Sequence, residues 1–364
     1  ELIHLDRDDL PSFHNSMANW FPHDLVDDWV GDKQKEIAFA NESIYNVFLC
    51  TADGEIHKLF ANVLTTKLGF TKLASDSCIF MRNDRSFEVD CGDLTEPAKI
   101  FMSIYVDGVL FCTNSSSLYQ HVMKSLSDHF PINENETGDA SWLVGMKIQR
   151  NREQGWLSLT QEAAIVKLAN ACGMTDSNPK ATPMTVDPLP KLEKATVDTE
   201  KCINGLSFRS VLGSVLYFSM VTRPDIAFAV NSLARHAATP GMQHVNALKR
   251  LVAYLYHTAK KGLIYSRPAK GKTGNVPIFY EKGTHPDDVY NMSLTSYADS
   301  DYAQSYNRRS TSGYVLVLNG APIGWGSRMQ KVCAQSTAEA EIIAATDCVK
   351  EVIHTRLMLK ELGY

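Results

Sequence analysis

The segment 101-FMSIYVDGVLFCT-113 sets an apolar run on each side of Tyr-Val-Asp-Gly. An Asp-Gly step between strand-forming runs is a strong two-residue hairpin signal, because both turn positions must tolerate positive φ. An aspartate held at a hairpin tip is equally a candidate ligand for a hard metal ion. The surroundings decide whether the segment is only a turn or what is left of a metal-binding site.

Working outward, 78-CIFMR-82 and 100-IFMSIYV-106 read as strands, and 109-VLFCT-113 returns after Asp-Gly. Upstream, 55-EIHKLFANVLTTKLGF-70 spaces Ile56, Leu59, Phe60, Val63, Leu64 and Leu68 as a helix and closes at Gly69. Downstream, 115-SSSLYQHVMKSLSDHF-130 puts Leu118, Val122, Met123, Leu126 and Phe130 on one face behind capping serines. A strand pair at 143–150 and 156–160 and a helix at 162–174 follow. The stretch 175–201 contains four prolines with many Thr, Asp and Lys, and is predicted to be a linker holding a domain boundary.

Beyond it the pattern predicts helices over 207–222, 225–236 and 242–258, with a break at Arg223-Pro224. The last unit reads as strands 294–298, 313–318 and 323–327, a turn at 319–322 and a helix over 338–362. Residues 1–40 are rich in aspartate with few periodic apolar runs, and are predicted to be poorly ordered or peripheral.

Bulk properties narrow the class. The chain has 364 residues, 44% hydrophobic and 21% charged, with net charge −5. That excludes collagen-like and fully disordered readings and allows two or three cores. No apolar run approaches eighteen residues and the first ten residues are acidic, so neither a membrane span nor a secretion leader is expected. Eight cysteines without a Cys-x-x-Cys pair indicate neither a zinc module nor a disulfide framework. An intracellular, reducing setting, cytoplasmic or nuclear, follows as the expectation. From Ile226 to Tyr280 there is no Asp or Glu, while Arg235, Lys249, Arg250, Lys260, Lys261, Arg267, Lys270 and Lys272 fall in that window. Such a stripe could track a phosphate backbone or be a solvated helix face.

The motifs become specific in 297-YADSDYAQSYNRRSTSGYVLVLNGAPIGWGSRMQKVCAQSTAEAEIIAA-345. This stretch resembles the ribonuclease H domain of copia-type LTR retrotransposon Pol polyproteins, whose members read Tyr-x-Asp-x-Asp-Trp-Ala-Gly, Arg-Lys-Ser-Thr-Ser-Gly-Tyr, Ile-x-Trp-x-Ser-Lys-x-Gln and Ser-Ser-Thr-Glu-Ala-Glu-Tyr in that order. Upstream, 208-FRSVLGSVLYFSMVTRPDIAFAVNSLARHAATP-240 resembles the family's connecting helices. The segments 157-LSLTQEAAIVKLANACGM-174 and 181-ATPM-184 resemble its thumb. The opening segment and 69-GFTKLASDSCIFMR-82 resemble its polymerase palm. The resemblance covers roughly Leu59 to Tyr364, and residues 1–55 show none.

What the resemblance implies is a mixed α/β and α+β chain. Its parts are a partial reverse transcriptase palm with a YxDD-type hairpin and thumb over 56–190, a linker and helical connection over 191–285, and a truncated ribonuclease H-like three-stranded sheet with a helix over 290–364. Residues 1–55 remain unassigned. The family's palm aspartates and an earlier one from a motif resembling Asp-Val-Lys-Thr-Ala-Phe-Leu hold two Mg²⁺ ions. Here Asp107 remains, Gly108 takes the second place, and nothing in residues 1–60 is read as the earlier motif. In the ribonuclease H part, Asp299 and Glu341 match the first two acidic ligands, while Glu339 and Asp301 are offset and read as solvated acids. A further aspartate is expected beyond the last helix and has no counterpart before Tyr364.

Asp107, Asp299 and Glu341 are therefore the candidate catalytic and metal-binding residues, with weak Mg²⁺ binding expected. Lys249, Arg250, Lys260, Lys261, Arg308 and Arg309 are the candidate contacts to an RNA–DNA hybrid or template–primer. Catalysis is expected to be defective. A non-catalytic nucleic-acid-binding role on the same scaffold, or an active fragment completed by another chain, are the alternatives. A partner chain covering the open edge of the last sheet is a further expectation.

Overall fold

The computed structural model describes residues 43–48, 54–90, 95–105, 108–130, 132, 137–185, 203–266, 294–304, 307–318 and 320–363. The fold is α+β, built from helices and three antiparallel sheets.

The first sheet has the order β2-β3-β4-β5-β1-β6. Its main strands are β1 (Ser43–Phe48), β3 (Ile79–Asp90), β4 (Thr95–Tyr105) and β5 (Gly108–Thr113), flanked by the short β2 (Thr71–Lys72) and β6 (Gly138–Asp139). Helices α1 (Gly54–Thr66) and α2 (Ser116–Ser127) bury Phe60, Val63, Leu64, Leu118, Val122 and Leu126 against Ile100, Met102, Ile104, Val109 and Phe111 of the sheet. The capping serine is Ser115, whose Oγ accepts from the Leu118 N–H. Gly69, at φ +66°, ends α1 as its position predicts.

The β4–β5 hairpin departs from the expected turn. Tyr105 pairs with Gly108, so residues 106 and 107 form the two-residue connection and Gly108 belongs to β5. The far end of the ladder explains this register. Thr113 Oγ1 donates to Lys99 O at 2.7 Å, and Asn114 Oδ1 accepts from Lys99 N at 2.7 Å, which pins Thr113 opposite Ile100. Counting back from that clamp puts Gly108 in the ladder opposite Tyr105.

The second sheet, in the order β10-β9-β8-β7, comprises β7 (Trp142–Leu143), β8 (Met146–Asn151), β9 (Trp156–Thr160) and β10 (Leu263–Ser266). Its companions are α3 (Glu162–Ala171), α4 (Phe208–Val221), α5 (Ala227–Ala234) and α6 (Met242–His257). The four helices share a core that includes Ile165, Val211, Val215, Val230, Leu248 and Leu251. The predicted break after α4 is a turn of 3₁₀ helix, Pro224–Ile226. It is secured by Arg223, which is only 1% exposed. The Arg223 guanidinium forks onto both Asp225 carboxylate oxygens at 2.9 and 2.8 Å and also reaches the Thr258 carbonyl and hydroxyl.

The third sheet is β11 (Leu294–Ser300), β12 (Thr311–Leu318) and β13 (Ala321–Met329) in sequence order, with α7 (Thr337–Glu361) packed on it. Ala340, Ala344 and Cys348 form the buried stripe of α7. At the far end of this helix, Glu361 accepts from Ser75 N at 3.0 Å and Ser75 Oγ at 2.7 Å, tying the third unit to the first.

Candidate functional site

Two places carry the candidate acids. Asp107 itself, with Val106, lies outside the described residues; its position is bounded by the Tyr105–Gly108 pair. Gly108 is held on both sides, since β5 also pairs with β1 and Phe48 stands opposite it. The position that would carry a second acid is therefore a ladder position occupied by a residue without a side chain.

Strand β1 lies within the region 1–55 that carried no assignment. Ser43 pairs with Thr113, at the opposite end of β5 from the 106–107 connection. Its partner strand lies some sixty residues downstream, so no local pattern announced the pairing.

In the third unit, Asp299 pairs with Gly313 one step before the β11–β12 ladder ends at Ser300 and Ser312. Glu341 sits in the second turn of α7. At about 100° per residue, it falls beside Cys348 and Leu359, on the sheet-facing half of the helix, whereas Glu339 points the other way. Glu339 is instead used as a cap, its carboxylate accepting from Gln335 N at 2.7 Å. The buried Gln330 links the two acids' neighbourhoods. Its Nε2 donates to Ser312 Oγ at 3.0 Å and to Ala340 O at 2.8 Å, so the bonded chain ends beside Glu341 and beside Gly313, the ladder partner of Asp299.

The faces differ, however. Ser312, Tyr314 and Arg328 turn toward α7, with Arg328 3.8 Å from Asp347 and 3.9 Å from Glu351. Alternation puts Asp299 on the other face, with Thr311. There Arg235 of the α5 C-terminus donates to Thr311 Oγ1 at 3.2 Å, and Trp325 Nε1 donates to Ser219 O at 2.7 Å.

Asp301 is not a free surface acid. Its carboxylate accepts from Thr311 N, and its own N–H donates to Thr311 O at 3.1 Å. Desolvation pushes its carboxyl above the ordinary value; the bond from Thr311 and the charge of Arg235 oppose this, while Asp299 adds to it.

Among the described residues, no group of three or more His, Cys, Asp or Glu side chains could hold a metal ion. Mg²⁺ requires near-octahedral oxygen donors converging at short range. The described donor set does not fit a two-ion centre.

The basic candidates separate into two kinds. Lys260, Lys261 and Arg308 are exposed, and Lys249 and Arg309 half-buried. Arg250 is engaged internally, its Nη2 donating to Thr182 Oγ1 at 3.1 Å. Arg267, Lys270 and Lys272 lie outside the described residues. His244 caps α6 by accepting from Gly241 N at 2.8 Å and stacks on His236 with ring centroids 4.2 Å apart.

The chain is 30% identical over 337 residues to the retrovirus-related Pol polyprotein from transposon TNT 1-94 of Nicotiana tabacum. It is 31% identical over 298 residues to that from transposon RE2 of Arabidopsis thaliana. The chain belongs to the retrovirus-related Pol polyproteins of copia-type transposons. It is a Pol segment, spanning 23% and 18% of the lengths of those two polyproteins while they cover 92% and 81% of it. It also matches 81% of a putative transposon Ty5-1 protein of Saccharomyces cerevisiae, at 25% identity over 289 residues. No protein-family model matches. The 337-residue match is longer than the stretch 56–364, so it takes in part of the N-terminal region in which no resemblance was expected. Among the described residues no helix is long and apolar enough to cross a membrane.

Proposed function

We propose that this Pol segment is a nucleic-acid-binding scaffold defective in polymerisation. On this reading the first unit is a reverse transcriptase palm with a YxDD-type hairpin, the second its thumb and connection, and the third a ribonuclease H-like sheet and helix. The observation that carries it is Gly108, fixed in the ladder between Tyr105 and Phe48 where the family motif has its second aspartate. One carboxylate at the tip cannot supply the oxygen donors that paired ions need. The retained surface cations Lys249, Lys260, Lys261, Arg308 and Arg309 suit the backbone of an RNA–DNA hybrid or template–primer.

Anisotropy of a labelled hybrid tests the binding. Three or four phosphate contacts should weaken affinity about 10- to 100-fold between 50 and 200 mM salt. Charge reversal at Lys260 and Lys261 should flatten that slope; salt-independent binding would retire the proposal. Primer extension with Mg²⁺ should be absent, and extension abolished by Asp107→Asn would show that polymerisation is retained.

One feature favours a second reading for the third unit, a ribonuclease site that another polypeptide completes. Gln330 joins Ser312 and Ala340, which neighbour Gly313 (the ladder partner of Asp299) and Glu341, while Asp299 itself lies on the face away from α7. Hybrid cleavage with Mg²⁺ that is lost in Asp299→Asn would support it, and equal cleavage by both proteins would exclude it.

A further inference from the structure

The solvent face of α7 is not an ordinary polar surface. Of its exposed positions, Glu339, Ile342, Thr346, Lys350, Ile353, Leu357 and Lys360 fall, at 3.6 residues per turn, in one sector about 80° wide, with Thr337, Ala338 and His354 exposed outside it. Within that line Ile342 is 66% exposed, Ile353 38% and Leu357 47%. The opposite face is already used against the sheet. A helix apolar on two sides is built to be covered on both.

The order of charges indicates what covers the second side. The line is acidic at its start, Glu339, and basic at its end, Lys360. Turned antiparallel against itself about a two-fold axis between Val349 and Lys350, it sets Ile342 against Leu357 of the other copy, Thr346 against Ile353, and Glu339 against Lys360. Lys350 lies near the axis, where two like charges would meet. Its ammonium is held by Asp347 of its own helix at 3.1 Å, leaving the stem to pack. A two-fold contact has to be self-complementary in this way.

We propose that a second copy of this chain docks antiparallel along the exposed line of α7, forming a symmetric helix pair. The apolar part of the contact, from Ile342 to Leu357, is about 22 Å long. That is a small interface of the weak, reversible class.

Sedimentation velocity of the full chain from about 1 to 100 μM tests it. A concentration-dependent monomer–dimer equilibrium is expected. Ile353→Glu should raise the dimer dissociation constant more than tenfold. Glu339→Lys and Lys360→Glu should each raise it by about 2- to 5-fold, and the two together should restore it. Because Glu339 also caps α7, melting temperatures of all variants are compared, and the single variant Lys360→Glu stands as the control that leaves the cap intact. A monomer throughout the range would overturn the proposal and leave the line as a solvated face or one covered by a different polypeptide. A dimer that survives Ile353→Glu, or a double swap that fails to recover association while its fold is intact, would overturn it as well.

Discussion

Arg223→Ala should be among the most damaging single changes in the second unit. The guanidinium is 1% exposed and makes four bonds, two to Asp225 and two to Thr258, at 2.7 to 3.1 Å. Truncation strands the Asp225 carboxylate and the Thr258 carbonyl at the end of α6. Breaking a buried pair from one side costs about 3–5 kcal/mol. Asp225 is 34% exposed and retains the Tyr254 hydroxyl at 2.7 Å, so water and that donor recover part of the loss. The expected cost is about 3 kcal/mol, or a fall in melting temperature of about 6–12 °C for a unit of this size. Urea unfolding followed by circular dichroism measures it. Replacing both partners, Arg223→Met with Asp225→Leu, should be less harmful than Arg223→Ala, because no charge is left uncompensated.

The pH dependence has a definite sign. Burial alone would raise the Asp225 carboxyl, but the donors Arg223 and Tyr254 outweigh it and hold it below the ordinary value. A carboxyl depressed in the fold contributes stability that is complete above the unfolded value, about 3.9, and is lost as pH falls through the lower folded value. Arg223→Ala should therefore show a shallower acid-side loss than wild type. A cost under about 1 kcal/mol, or an unchanged acid profile, would refute the view of Arg223 as the pin between α4 and α6.

Other outcomes follow from the same geometry. Gly262→Ala would place a Cβ 2.2 Å from the Leu159 carbonyl oxygen, a backbone atom that cannot swing aside, so β10 should separate from β9 and thermal unfolding should show a loss of at least about 2 kcal/mol. Val144, a β-branched residue at φ 47° in the Leu143–Met146 hairpin, is strained; Val144→Asn should raise stability by about 0.5–1 kcal/mol in chemical denaturation. Asp301, whose carboxyl is raised chiefly by desolvation, contributes stability only at low pH and loses it as pH rises through its folded value. Asp301→Asn keeps an acceptor for Thr311 N and should melt slightly higher at pH 7, with the advantage gone near pH 3.

Local signals carried most of the element pattern. Ser115 and Ser336 each cap a helix through their own side chains, so the starts of α2 and α7 are written in adjacent residues. The core line of α6 needs only its own periodicity. Strand β1 was not visible, because SIYNVF follows a long acidic stretch and its partners lie beyond residue 107 in sequence. Gly108 lies in the ladder, not in the turn that Asp-Gly predicts, for a related reason: the clamp that sets the register, Thr113 and Asn114 on Lys99, is at the other end of the strands. At the candidate site, the motifs named Asp299 and Glu341, and Gln330 was not among the residues they named. Gln330 acts through bonds to Ser312 and Ala340, eighteen and ten residues away, which no one-dimensional pattern encodes. Asp301 looked solvated because its neighbours Thr311 and Arg235 arrive from other elements.

On the proposed reading, these contrasts explain how a binding scaffold outlasts its chemistry. The first sheet's register is fixed several times over: by buried pairs such as Ile104 with Val109 and Met102 with Phe111, by the Lys99 clamp, and by the neighbouring β1. A glycine at ladder position 108 is compatible with all of those. A metal centre has no such redundancy, because each carboxylate is one of a few donors and none of the others can move to replace it. Surface cations occupy the middle ground, since each contributes a similar increment to phosphate binding and losing one lowers affinity without abolishing it. On that reading, substitutions remove catalysis first, erode nucleic-acid affinity gradually, and reach the fold last. An expressed copy with intact binding and no extension is the expected intermediate of that order, whereas a copy that extends primers but cannot bind a hybrid would contradict it.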